Sequence, residues 1–348
     1  MVALLGRAHD SFHQNQVRGA RLAVEQHNKN AGRTVDLVLR TAEDQGTAAG
    51  SAATAARLAA DPAVSLVIAT GGNATAPAAL PPCTRARLTL LVTRADAAEI
   101  IVNTTTALVL RTTQTTGPPA VLRYLNRAVR PARTVVVHDL ATEAESLTTV
   151  HFAAVRGKLD SETAVEEVAA DADFTAAARR IAARPQDAVL FGGVRPERAA
   201  ACARALRDAG HEGARIAGEH VLGASFLAVG EDWRIGAGYT DASADPRTEA
   251  FAAAFRARHG QAPGPWAAEA YDAVRFAAQG LTRLGDDDRS ALRGLLLRRP
   301  WQGITRRVAF DAADQFFQVQ EDTGEFLYRV TGGTARFVTR SDDIDAKT

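Results

Sequence analysis

Two hydrophobic periods take turns along this chain. Val2-Ala3-Leu4-Leu5 is a short apolar run that predicts a strand, and Gln14 to Asn28 follows with Val17, Ala20, Leu22, Ala23 and Val24 at helical spacing. Thr34 to Arg40 alternates with period two. Thr47 to Ala60 is alanine-rich and helical, and Val64 to Ala69 is a continuous apolar run, as in strands covered on both faces. A helix over Pro77 to Ala86 and strands over Leu88 to Val92 and Ala107 to Arg111 complete a first series. The pattern then restarts. Helices are predicted over Pro118 to Arg127, Leu147 to Leu159, Phe174 to Ala183 and Glu197 to Ala209, the last ended by Gly210. Strands are predicted over Thr134 to His138, Asp187 to Phe191, Arg215 to Ala217 and, weakly, Ile235 to Tyr239. Two long helices, Thr248 to His259 and Ala267 to Leu284, precede a tail of short antiparallel strands from Arg307, with a turn at Asp322-Thr323-Gly324.

Repeated βα units of this length predict parallel sheets with helices on both faces. Their two successive runs predict an α/β protein of two doubly wound, Rossmann-like lobes. A length of 348 residues agrees with two domains rather than one. With 41 Lys and Arg against 40 Asp and Glu, the chain has no bulk electrostatic footprint for nucleic acid or an anionic membrane. No apolar run approaches the ~20 residues of a membrane span. Cys83 and Cys202 fall in separate helical patterns and are expected to be buried small hydrophobes rather than a bridge. Met1 runs directly into the first strand with no basic segment, apolar segment or cleavage site. This leaves three alternatives: a cytoplasmic protein, a chain that starts after a signal segment, or a piece of a longer protein.

The sequence offers no catalytic signature: no phosphate-binding glycine loop, no G-x-G-x-x-G after the first strand, no G-x-S-x-G elbow and no C-x-x-C. No catalytic residue, metal or cofactor is therefore expected. His9 and His13 stand four apart, as metal ligands on one helix turn would, but Asp10-Ser11 between them also suits a polar loop. In open parallel sheets ligands bind outside the carboxyl ends of the strands. The residues after each predicted strand are Gly6 to His13 with Phe12, Thr70 to Thr75, Thr93 to Asp96, Asp139 to Glu145, Gly192 to Arg195 and Gly218-Glu219-His220. Within Thr70-Gly71-Gly72-Asn73, bare glycines and a following helix would favour an anion such as a carboxylate; a plain glycine turn capped by Asn73 or Thr75 is the alternative.

These fragments together resemble the type I periplasmic, or extracellular, solute-binding proteins of ABC transporters, in the leucine/isoleucine/valine-binding branch. QVRGARLAVEQHN resembles the family's opening helix, and AEDQGTAAGSAATAARLAADPAVSLVIA its second helix and third strand. VVVHDLATEAESL, DFTAAARRIAARPQDAVLFGGVRPERAAACARALRDAG, AAEAYDAVRFAAQGL and VAFDAADQ follow in the family's order and spacing. The resemblance implies lobes of residues 1–114 with 242–312 and 115–241 with 313–348, and a ligand cleft between them. It implies crossovers near 112–116, 239–241 and 311–315. It further implies a non-enzymatic receptor that closes by hinge motion on a small amino-acid-like or related polar solute and serves an ABC permease. The location it implies is extracytoplasmic, tethered or secreted. A ligand-sensing domain of a larger regulatory protein is the alternative.

Carried over position by position, the family's contact sites fall on Phe12, which keeps an aromatic, and on Gly72 and Asn73 in place of a hydroxyl residue. They also fall on Ala97 with Thr93 and Asp96 adjacent, on Glu143 in place of a tyrosine, and on Val194-Arg195 in place of an aromatic. The last falls on His220, beside Glu219, in place of an acid. A neutral histidine cannot by itself neutralise an ammonium. Either Glu143 or Glu219 takes over that task, or Arg195 and His220 face the ligand and it is neutral or anionic.

Overall fold

The computed structural model describes residues 1–96, 106–112, 119–144, 149, 159–285, 288–310 and 324–348. The chain divides into two compact units: Met1–Thr113 with Tyr239–Gln320, and Gln114–Gly238 with Glu321–Thr348.

The first unit is built on a parallel sheet of order β2-β1-β3-β4-β5, with β1 (Val2–Gly6), β2 (Leu39–Glu43), β3 (Leu66–Ala69), β4 (Thr89–Val92) and β5 (Ala107–Val109). β1, β3, β4 and β5 are buried throughout, which is why they read as unbroken apolar runs. Helix α1 (Ser11–Lys29) begins where Asp10 accepts a hydrogen bond from the Phe12 amide, and ends with His27 and Lys29 against the negative end of its dipole. It packs with α8 (Glu249–His259), α9 (Ala267–Leu284) and α10 (Leu292–Leu297) in one core cluster. α2 (Ala48–Ala60) and α3 (Leu80–Arg85) contribute to a separate cluster with β1, β3, β4 and β5. Phe255 and Phe276 are wholly buried, each worth ~1.5–3 kcal/mol relative to exposure. Gly19 permits the closest approach: a Cβ there would lie 2.0 Å from the Ala267 carbonyl oxygen of α9.

The second unit carries a seven-stranded sheet of order β14-β13-β10-β9-β8-β6-β7. Its strands are β6 (Arg133–Asp139), β7 (Glu162–Val168), β8 (Ala188–Phe191), β9 (Arg215–Gly218), β10 (Arg234–Ala237), β13 (Phe326–Thr331) and β14 (Thr334–Arg340). β6 to β10 are parallel, and the β13–β14 hairpin adds antiparallel to β10. The helices are α4 (Pro119–Arg123), running into a π-turn at Tyr124–Val129, α5 (Thr175–Ala182), α6 (Pro196–Asp208) and α7 (Ala224–Leu227). A two-residue pair, β11 (Trp301–Gln302) with β12 (Arg307–Val308), belongs to the first unit.

Three departures from the sequence pattern have a visible cause among the described elements. The period-two stretch at 34–40 enters the sheet only at Leu39, which pairs with Val2, the first residue of β1. The preceding residues are held instead by Asn28, whose side chain donates to the Leu37 carbonyl at 2.8 Å and accepts from the Leu37 amide at 2.9 Å. β7 was not predicted: it is an edge strand of sequence ETAVEEV, half-exposed and rich in glutamate. The helix predicted over 77–86 is a 3₁₀ turn (Ala76–Ala79) followed by the single short α3, with prolines at 77, 81 and 82. The helix expected at 147–159 and the third crossover lie outside the described residues, as do most of the first crossover and of the turn at 322–324.

Candidate functional site

In each sheet the strand order reverses beside the first strand of the unit. β2 and β3 flank β1, and β7 and β8 flank β6, so the carboxyl ends of β1 and β3, and of β6 and β8, are the switch points where such sheets bind ligands.

In the first unit a buried polar network fixes the loops at that edge. Thr70 Oγ1 donates to the Leu5 carbonyl at 2.9 Å, so His13 Nδ1, 2.6 Å away, is the donor to Thr70. Burial holds His13 below its ordinary pKa, against the pull of Asp44, Asp10 and Glu43, which keeps the imidazole neutral in this role. Gly6 has no Cβ because one would sit 2.2 Å from Thr70 Oγ1 and 2.4 Å from His13 Nδ1. Gln16 donates to the Thr70 carbonyl and accepts from Thr93 Oγ1 at 2.5 Å. The Thr93 hydroxyl therefore points into the protein and is engaged there. His9 lies exposed, apart from buried His13, and among the described residues no three metal-ligating side chains gather.

Above this layer lie Phe12, Gly72, Asn73, Arg94 and Asp96. Asn73 and Asp96 lock to one another: Asn73 Nδ2 donates to Asp96 Oδ1 at 2.7 Å, and Asn73 Oδ1 accepts from the Asp96 amide at 2.8 Å. Asp96 is nearly buried and lies 3.9 Å from Arg111 Nη2. Arg111 is itself buried and donates to the Thr112 and Arg94 carbonyls. Arg94 lies across the Phe12 ring, 4.3 Å from its centroid, and donates from Nη1 to Asp10 Oδ2 at 2.9 Å. The amides of Gly71, Gly72, Asn73 and Ala74 reach no protein acceptor among the described residues. Behind them the expected helix is short and starts as a 3₁₀ turn, Ala76–Ala79, that runs into α3.

In the second unit Asp139 ends β6, fully buried. It accepts from Arg198 at 2.6 Å and from the Ala141 amide at 3.2 Å. Arg198 lies over the Phe174 ring and also donates to the Ala169 and Ala172 carbonyls, tying the β6 and β7 loops to α6. A small cavity beside these loops is lined by Val121, Thr149, Leu190, Phe191, Gly192, Gly193, Val194, Gly218 and His220. His220 is thus brought together with the glycine pair. Glu143 stands exposed after the turn Leu140–Thr142, and Arg195 is exposed at the N-cap of α6. Glu219 turns elsewhere: its Oε2 accepts from the Gly238 amide at 2.6 Å. Arg94 is the residue that sequence reasoning passed over. Its signal was a cation two residues after the buried strand β4, inside the loop Thr93 to Asp96.

Two doubly wound units with glycine turns at their switch points are the frame of a small-solute receptor. The chain matches the model of the periplasmic binding protein family over residues 4–331 and belongs to that family. Its members are solute-binding proteins rather than enzymes, and an extracytoplasmic setting goes with the family. Sequence comparison with curated proteins gives no match. Solved structures share the fold. A substrate-binding protein of an ABC transporter from Desulfitobacterium hafniense, in complex with leucine, has a TM-score of 0.78 at 18% identity, over 97% of this chain and 99% of that one. The branched-chain amino acid binding protein LivJ of Streptococcus pneumoniae, in complex with isoleucine, has a TM-score of 0.72 at 19% identity, over 97% and 99%. A solute-binding protein from Rhodopseudomonas palustris, in complex with 3,4-dihydroxybenzoic acid, has a TM-score of 0.69 at 16% identity, over 99% and 97%.

Proposed function

We propose that this protein is the substrate-binding component of an ABC importer for a small polar solute that carries an acidic group. Strand-end loops from both units would contribute contacts, closure would follow by hinge motion about the crossovers, and a membrane permease would receive the solute. The observation that carries this reading is the row of amides at Gly71, Gly72, Asn73 and Ala74 that reach no acceptor among the described residues, at the switch point of a sheet in a solute-binding family. The ligands of the three related structures are all small carboxylic acids, two with an ammonium and one without. That shared group is what such amides recognise.

Native mass spectrometry of the purified protein should reveal a co-purified small acid. Small-angle scattering should show compaction when that acid is returned to stripped protein, because a ligand touching both units favours the closed state by its differential affinity. Absence of any small-molecule adduct, with no compound stabilising the stripped protein, would sink the reading.

A further inference from the structure

We propose that Arg94 is a specificity-determining cation of this protein and selects small carboxylates that lack an α-ammonium. The inference rests on the solute-binding function above and names its substrate class.

Three observations meet at one place. First, Arg94 keeps donors to spare. Nη1 bonds Asp10, while Nε and Nη2 have no protein partner among the described residues, and the side chain is 26% exposed. Second, the guanidinium is held in position, stacked on Phe12 and tied to Asp10, which is itself fixed by the Phe12 amide. A Cβ built on Gly72 would lie 3.9 Å from Arg94 Cζ and 4.0 Å from Nη2. The spare guanidinium donors therefore flank the same turn whose amides are unengaged. A carboxylate there would receive charge-assisted hydrogen bonds from a planar donor and from backbone at once. Third, the described acids of the strand-end loops already hold other partners, Glu143 excepted. Asp10 serves Arg94, Glu43 accepts from the Ala8 and Gln45 amides, and Asp44 accepts from the Gly46 amide. Asp96 serves Asn73 and Arg111, Asp139 serves Arg198, and Glu219 serves Gly238. A zwitterionic amino acid would bring its ammonium to a surface that offers it a guanidinium.

The test uses stripped full-length protein and named probes: 4-methylpentanoate, benzoate and succinate; leucine, isoleucine and valine; and 3-methylbutylamine. Binding is screened by thermal shift and measured by calorimetry. At least one carboxylate without an ammonium should bind, more tightly than any of the three amino acids, and the amine should not bind. Arg94→Leu should weaken that carboxylate roughly tenfold to a hundredfold, and Arg94→Lys should restore part of the loss. Gly72→Val provides a second route, since its Cβ meets only ordinary contacts: it should keep the melting temperature yet lose the same probe. Tighter binding of an amino acid than of its ammonium-free counterpart overturns the proposal, above all if Glu143→Gln abolishes it. Carboxylate affinity unchanged in Arg94→Leu also overturns it; either result leaves the receptor function standing. If neither a probe nor a co-purified solute binds the wild type, the receptor function falls and this inference falls with it.

Discussion

Glu269 is the residue whose chemistry is most displaced by its surroundings. It lies buried on α9, with Oε1 accepting from the Thr240 amide at 2.8 Å and Arg306 Nη2 3.8 Å away. Burial outweighs both and pushes its pKa from the ordinary 4.5 up to about 7; Asp272, one turn on, is also raised by burial. An acid whose folded pKa is raised contributes stability that is present below its unfolded value and is lost as pH rises through the folded one. Glu269 should therefore cost stability on the order of 3 kcal/mol between pH 4.5 and pH 7. Glu269→Gln keeps an acceptor for Thr240 and should flatten the fall in melting temperature across that window. An identical pH profile in the variant would contradict this. No sequence pattern signals such a residue, because position 269 sits in an alanine-rich helix where Glu is an ordinary surface choice. The same holds for the ligand loops. Phe12, Gly72, Asn73, Asp96 and His220 could be placed on strand ends from order and spacing. That Asn73 and Asp96 bond each other, that Thr93 turns inward to Gln16, or that Glu219 turns to Gly238 depends on side-chain directions that spacing does not carry.

At the scale of elements, the buried parallel strands were the most legible, since burial on both faces leaves an unbroken apolar run as in β3, β4 and β8. Edge strands were the least. β7 is buried at only one of its residues, Val168, and β2 is displaced toward its carboxyl end because its partner strand, not its own alternation, sets where pairing begins. Helix pairing was not legible, since nothing in the spacing of α1 names the helix it packs on. The structure shows the partner: α1 rests on α9 so closely that the Ala267 carbonyl fills the place of a side chain. Because that atom is backbone at the start of a helix, it cannot rotate away. Gly19→Ala should part the two helices and destabilise the first unit by about 1–3 kcal/mol or more, read as a lowered urea midpoint. A shift below about 0.5 kcal/mol would mean that the helices slide without loss.

At the scale of the molecule, the chain passes from the second unit to the first at Gly238–Tyr239, and each side of that passage is anchored by a carboxylate of its own unit. Glu219 holds the Gly238 amide at 2.6 Å, Glu269 holds the Thr240 amide at 2.8 Å, and the Tyr239 ring rests 5.4 Å from Trp266. Backbone freedom at this crossover is thus confined to the torsions between two fixed amides. Glu219 also precedes His220, which lines the cavity of the second unit, so the loop that carries a candidate ligand contact is fastened to the crossover. Hydrogen exchange separates this role from ligand binding. Glu219→Ala should speed exchange at Gly238 and leave Thr240 slow, in protein stripped of solute, whereas Glu219→Gln keeps a carbonyl acceptor and should change little. If Gly238 exchanges at the wild-type rate in Glu219→Ala, the carboxylate does not hold the crossover.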